Sequence, residues 1–161
     1  EVLLRRKPQS LDQGGFTIGM NIKSKFSKKE LAIIGAILYS CEGTQLRRDK
    51  RRNNVYYWVI EFTNSNFKII KLFVVFLKEV IHIDRSRLKG QLFIYDDVHR
   101  KELEKRWSKI SGIPLVNFNK TIVFQAKNSK YRPNPNGTFK LRYHSKEAFQ
   151  KLDTLIRNIL E

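Results

Sequence analysis

An acid and a glycine close a hydrophobic run in residues 35–45, GAILYSCEGTQ, and Glu42 is the residue there whose position invites a chemical reading. Leu31, Ile34, Ile37, Leu38 and Cys41 recur at helical spacing, so the run is expected to form a helix that ends near Gly43. The negative end of the helix macrodipole lies at that terminus, where stability alone would favour a lysine over a carboxylate. The placement motivates a functional role for Glu42. The plain alternative is an exposed acid ahead of a capping glycine.

The elements around that tip follow from pattern. Ser27 with Glu30 three residues later is a capping box that starts the helix, and small residues within it, Gly35, Ala36 and Ser40, permit another helix to approach closely. Residues 47–54 form a basic, turn-like stretch with room for a short strand and a hairpin turn. The next run, 55–63, is expected to be a strand apolar on both faces. Asn64 or Ser65 can cap a following helix with an apolar stripe of Ile69, Ile70, Phe73, Phe76, Leu77 and Val80. Residues 87–95 alternate, with Leu88, Leu92 and Ile94 opposite Arg87, Lys89 and Gln91, as in a half-buried strand. A charged helix should open at Asp97, bury Leu103, Trp107 and Ile110, and stop at Gly112. Two more strands, 120–127 and 138–143, flank a loop with Pro133, Pro135, Asn136 and Gly137, and Ser145 caps the last helix. In the second of these strands Phe139, Leu141 and Tyr143 oppose Thr138, Lys140 and Arg142, giving one face suited to a polyanion. The expected class is α+β, with a tail or irregular lead-in over 1–25 and one domain over 26–161. Phe62, Ile70, Phe73, Phe76 and Leu77 match Leu141, Phe149, Leu152, Leu155 and Ile156 at a constant offset, so 26–97 and 98–161 read as a pseudo-repeat.

Charge narrows the partners. Thirty-two Lys and Arg against 15 Asp and Glu leave +17, an excess that suggests nucleic acid, an anionic membrane or an acidic protein. The most apolar run, 69–83, is broken by Lys71, Lys78, Glu79 and His82 and is shorter than the roughly 20 residues a bilayer span needs, so no membrane insertion is expected. Arg5, Arg6 and Lys7 lead into no apolar segment, which argues against a secretory signal and for the cytoplasm or nucleoid. The one cysteine, Cys41, permits no internal disulfide or CxxC zinc site and is expected to be a small buried hydrophobe. His82, His99 and His144 lack metal-ligand spacing, and no Walker loop, HExxH or Ser-His-Asp arrangement is recognisable.

The first helix resembles the LAGLIDADG helix of homing endonucleases, and more closely a bacterial subgroup ending in LYxGEGTK, which here reads Leu38-Tyr39-Ser40-Cys41-Glu42-Gly43-Thr44-Gln45. Residues 60–80 (IEFTNSNFKIIKLFVVFLKEV), 106–115 (RWSKISGIPL) and 119–124 (NKTIVF) also look like that set, so the resemblance covers 28–161. It implies a LAGLIDADG-like mixed α/β fold with curved antiparallel sheet lying in the DNA major groove. Two such helices would pack together, each delivering a carboxylate to the scissile phosphates, with Mg²⁺ activating water and neutralising developing charge. Carried over, Glu42 is the metal ligand, Asn64 and Lys68 are polar residues beside it, and Lys120 stabilises phosphate. The chain departs from the pattern in three ways: Ile37 stands at the mid-motif glycine, Glu42 replaces the commoner Asp, and the nearest second ending, Ile110-Ser111-Gly112, lacks an acid. Cutting both strands therefore calls for a homodimer through the 31–42 helix.

DNA contacts are expected from Lys89, Gln91, Gln125, Lys127, Lys140 and Arg142 on strands and from Arg47, Arg48, Lys50, Arg51 and Arg52 in the basic loop. The expected function is a Mg²⁺-dependent site-specific DNA endonuclease, a phosphodiester hydrolase. Two alternatives stand beside it: a non-catalytic, regulator-like DNA-binding module on the same scaffold, and an RNA-binding maturase-like protein.

Overall fold

A computed structural model describes residues 25–49, 55–126 and 134–160. Lys50, Arg51, Arg52, Lys127 and the lead-in over 1–24 lie outside the described residues. The elements in chain order are helix α1 (Lys28–Glu42), a hairpin of β1 (Arg47–Asp49) and β2 (Val55–Tyr57), strand β3 (Val59–Asn64), helix α2 (Phe67–Phe76), strand β4 (Lys89–Tyr95), helix α3 (Arg100–Ser111), strand β5 (Ile122–Phe124), strand β6 (Thr138–His144) and helix α4 (Lys146–Leu160). The α+β class expected from the sequence is observed.

Strands β3 to β6 form one sheet in the order β3-β6-β4-β5, antiparallel except for the parallel pair β4 and β5. Alternation decides its two faces. Ile60, Phe62, Leu92, Ile94, Phe139, Leu141 and Tyr143 are buried in one core with Tyr39 of α1, Ile70, Phe73 and Phe76 of α2, Leu103 and Trp107 of α3, and Phe149 and Leu152 of α4. The helices thus cover one face. The opposite face carries Thr63 of β3, Thr138, Lys140 and Arg142 of β6, and Lys89, Gln91 and Phe93 of β4, all half-buried.

Local chemistry fixes the ends. The Ser27 hydroxyl accepts from the Glu30 amide while the Glu30 carboxylate accepts from the Ser27 amide at 2.7 Å, the reciprocal capping box read from the sequence. Gly112 ends α3 at φ 68°, a left-handed turn that glycine adopts without Cβ strain. The Trp107 indole N–H donates to the Asn136 carbonyl at 2.8 Å, and its ring stacks on Phe139 with centroids 4.8 Å apart, so one residue ties α3 to both β6 and the turn before it.

Several boundaries differ from expectation. The 55–63 run is not one strand: it breaks at Trp58, and Val55, Tyr56 and Tyr57 sit exposed on the hairpin while Val59 onward enters the sheet. The cap of α2 is Asn66, whose side chain accepts from the Lys68 amide at 2.9 Å; Asn64 instead accepts from the Asn66 amide at 2.8 Å and shapes the turn before it. Helix α2 loosens into a π-helical turn over Leu77–Ile81 and stops at His82, which has φ 63°. Helix α3 starts at Arg100 with His99 as its cap position, not at Asp97, and β5 is only three residues long. Cys41 is exposed and not buried, because it lies on the face of α1 turned away from the core. Of the offset-matched residues, Phe62 and Leu141 are direct cross-strand partners, so the two strand-helix units lie side by side and run in opposite directions.

Candidate functional site

Helix α1 leads its acid to the outer edge of β3. Gly43 forms an antiparallel bridge with Phe62, and the Thr44 amide donates to the Glu61 carbonyl at 3.0 Å. Because the bridge is antiparallel, β3 runs on towards Asn64 as the last turn of α1 runs back beside it. The corner where α1 ends therefore sets Glu42 beside the half of β3 that leads to Asn64, and Lys68 is the second residue of α2. Glu42 is exposed.

A connected set of bonds holds this corner. The Gly43 amide donates to the Tyr39 carbonyl at 2.7 Å, closing the helix. The Tyr39 hydroxyl donates to the Thr44 carbonyl at 2.7 Å, so the residues on both sides of Gly43 are pinned to one aromatic side chain. Burial pushes the Tyr39 phenol well above its ordinary range, with the nearby Glu61 charge adding to the rise, so this donor keeps its proton. The Thr44 hydroxyl donates to Glu61 Oε2 at 3.4 Å. Glu61 Oε1 accepts in turn from Arg142 Nε at 2.6 Å, its direct cross-strand neighbour. A carboxylate and a guanidinium that are charged and partly dry hold one geometry more firmly than a surface pair does.

Glu61 is the residue that sequence reading missed. It is buried in β3, where a carboxylate is costly unless paired. Its signal was present in the alternation: Ile60 and Phe62 point to the core, which leaves Glu61 on the face of Arg142. Arg142, expected from the sequence as a strand cation for DNA, is paired through its guanidinium with Glu61 while its side chain stays one-third exposed. Lys89 and Gln91 are similarly engaged, Lys89 donating to Asn117 Oδ1 at 3.2 Å and Gln91 to the Lys120 carbonyl at 3.1 Å. Lys140 places its ammonium 5.3 Å from the Phe93 ring centre. These groups remain half-exposed, so the face is cationic but already ordered by its own contacts.

Other expected residues are scattered. Arg47 and Arg48 lie on the exposed hairpin, where the Arg48 guanidinium sits 5.9 Å from the Tyr56 ring centre. Gln125 is exposed just past β5. Lys120 is exposed beside β4 and β5 at the far edge of the sheet, three strand spacings or about 14 Å from β3. A single chain does not bring Lys120 to the acidic corner.

The second half of α1 presents exposed apolar side chains on the face turned from the core. Ile33 and Ile37 are 38% and 45% exposed, and with Cys41 they form a stripe at i, i+4 and i+8 that ends one residue before Glu42. Among the described residues no group of three or more His, Cys, Asp or Glu comes together as a metal cage. Among the described residues Glu42 is the exposed carboxylate at this corner, Glu61 being buried in its pair with Arg142, and a hard divalent cation held by Glu42 would need further oxygen donors beside it. No family model, curated protein or solved structure matches the chain. No described helix is long and apolar enough to cross a membrane.

Proposed function

We propose that the protein is a site-specific DNA endonuclease of LAGLIDADG homing endonuclease type that acts as a homodimer. The observation that carries this reading is the exposed stripe of Ile33, Ile37 and Cys41, which runs along α1 to an exposed Glu42. An isologous contact through that stripe brings the two Glu42 carboxylates together, because a two-fold axis pairs each residue near it with its twin. Mg²⁺, when bound by that pair, supplies the Lewis acidity for phosphodiester hydrolysis. The chain's own parts do the rest. The bonds from Tyr39, Thr44 and Glu61 hold the backbone at Gly43, and the carboxylate is thereby presented at a set height above the sheet edge. Asn64 ends the strand beside that corner and Lys68 follows it, where they can orient phosphate oxygens. Lys140 and Lys89 on the open face, with Arg47 and Arg48 on the hairpin, meet the DNA backbone and groove edges.

The test is incubation of the protein with a randomised duplex library in Mg²⁺ and separately in Ca²⁺, comparing wild type with Glu42→Gln. Wild type is expected to cut in Mg²⁺, and the substitution to abolish cutting while leaving duplex affinity within about twofold, since an exposed side chain changes little else. Cutting that survives in Glu42→Gln removes Glu42 from the reaction. Tight duplex binding without cutting by wild type selects the regulator-like reading, to which the single acid per chain also lends support.

A further inference from the structure

The open face of the sheet divides into a cationic part, on β6 and the start of β4, and an aromatic part at the end of β4 and on β5. The register Phe93 to Ile122 and Tyr95 to Phe124 sets these four side chains on one face. Phe93 and Phe124 lie with ring centres 6.5 Å apart and planes 15° from parallel, and Tyr95 lies 6.0 Å from Phe124. Phe124 is 48% exposed, Tyr95 39% and Ile122 38%. A parallel edge strand is ordinarily covered on both faces, and exposed aromatic residues at an edge invite aggregation, so folding alone gives no reason for this patch.

Its surroundings specify the ligand. Lys140 stands over Phe93, Lys120 is exposed alongside β4, and Gln125 follows Phe124. The nearest carboxylate in sequence, Asp96, accepts from the Ala126 amide at 2.9 Å and so is engaged with the backbone. Flat π surfaces bordered by ammonium groups match an anionic chain of flat rings. We infer that Phe93, Tyr95 and Phe124 form a base-stacking platform that takes unpaired nucleotides of a single-stranded nucleic acid, the rings stacking on bases while Lys140 and Lys120 meet the flanking phosphates. This goes beyond the duplex reading, because bases inside a duplex cover each other's faces and offer only their edges.

The test measures affinity by fluorescence anisotropy for a labelled oligothymidylate and for a blunt-ended duplex hairpin, using wild type, Phe124→Ala, Tyr95→Ala and Phe124→Trp. The alanine variants are expected to lose roughly tenfold in affinity for the single strand and much less for the duplex. Phe124→Trp is expected to retain single-strand binding, with the indole emission it adds over wild type quenched as bases stack on it. Unchanged single-strand affinity in both alanine variants overturns the proposal, as does an equal loss on the two ligands. Added emission in Phe124→Trp that stays unquenched at saturating oligothymidylate overturns it too. Circular dichroism checks that the exposed substitutions leave the fold intact. Duplex cutting and its dependence on Glu42 are read separately, so the endonuclease reading and the platform fail independently.

Discussion

At the scale of single residues, the corner at Glu42 depends on side chains that do not themselves reach outward. Thr44 joins the helix end to β3 through its backbone and its hydroxyl, and Glu61 passes the connection to Arg142. Replacing Glu61 by Ala leaves the Arg142 guanidinium without its partner and Thr44 without its acceptor. Full loss of a buried pair costs about 3–5 kcal/mol, and Arg142 recovers part of this from water because its side chain is one-third exposed, so a loss of about 1–3 kcal/mol is expected in urea unfolding. Glu61→Gln keeps an acceptor and is expected to cost less. Thr44→Val is the sharper functional probe, because it keeps the shape and both backbone bonds while removing only the hydroxyl contact. It is expected to lower the cleavage rate several-fold at nearly unchanged duplex affinity, a split that a stability defect alone would not produce. Equal falls in rate and affinity would count against a positioning role for Thr44.

At the scale of elements, α1 approaches α2 as closely as it does because Gly35 has no side chain. A Cβ at that position would lie 2.2 Å from Phe76 Cγ, inside the ring that fills the space. Phe76 is fully buried between the sheet and α1, so it has no room to retreat, and Gly35→Ala is expected to destabilise by about 1–3 kcal/mol despite the better helix propensity of alanine. A thermal melt of the variant against wild type checks this, and a higher melting temperature would show that the contact can relax. The small residues of the helix were legible in the sequence as a sign of close approach. That Gly35 uses it within the chain was not, because spacing names a helical face and not its neighbour. The same limit explains Cys41, which fits the apolar pattern of α1 yet lies on its exposed side. Strand and helix existence came through because Phe139, Leu141 and Tyr143 alternate strictly and α2 carries a continuous stripe. Boundaries slipped where two polar residues could each cap, as with Asn64 and Asn66, or where tertiary pairing split one apolar run at Trp58. The face of Glu61 was legible from Ile60 and Phe62 on either side, but its partner was not, since a lone acid in a hydrophobic strand gives its partner away only when the register of β3 against β6 is known.

At the scale of the molecule, the proposed reading rests the hold on DNA on the excess of 17 positive charges, and the number of chains that share it on the exposed stripe of α1. Binding to duplex should weaken steeply with salt, log affinity falling by about 0.9 per log unit of salt for each phosphate neutralised. Salt-insensitive binding would remove the polyanion argument and the interface with it. Assembly can be separated from charge by Ile37→Glu, which places a carboxylate in the middle of the stripe and, across a two-fold contact, close to its twin. Ile37 is 45% exposed in the single chain, so the substitution is expected to leave the fold stable within about 0.5 kcal/mol while sharply weakening self-association. Sedimentation of wild type with duplex should give two chains per DNA, and Ile37→Glu should give one. If cutting needs both copies of Glu42, the same variant loses double-strand cleavage while a basic face on each monomer still binds. A variant that stays monomeric and yet cuts both strands at the wild-type rate would show that one chain suffices, and the acid paired with Glu42 would then have to come from elsewhere in the sequence.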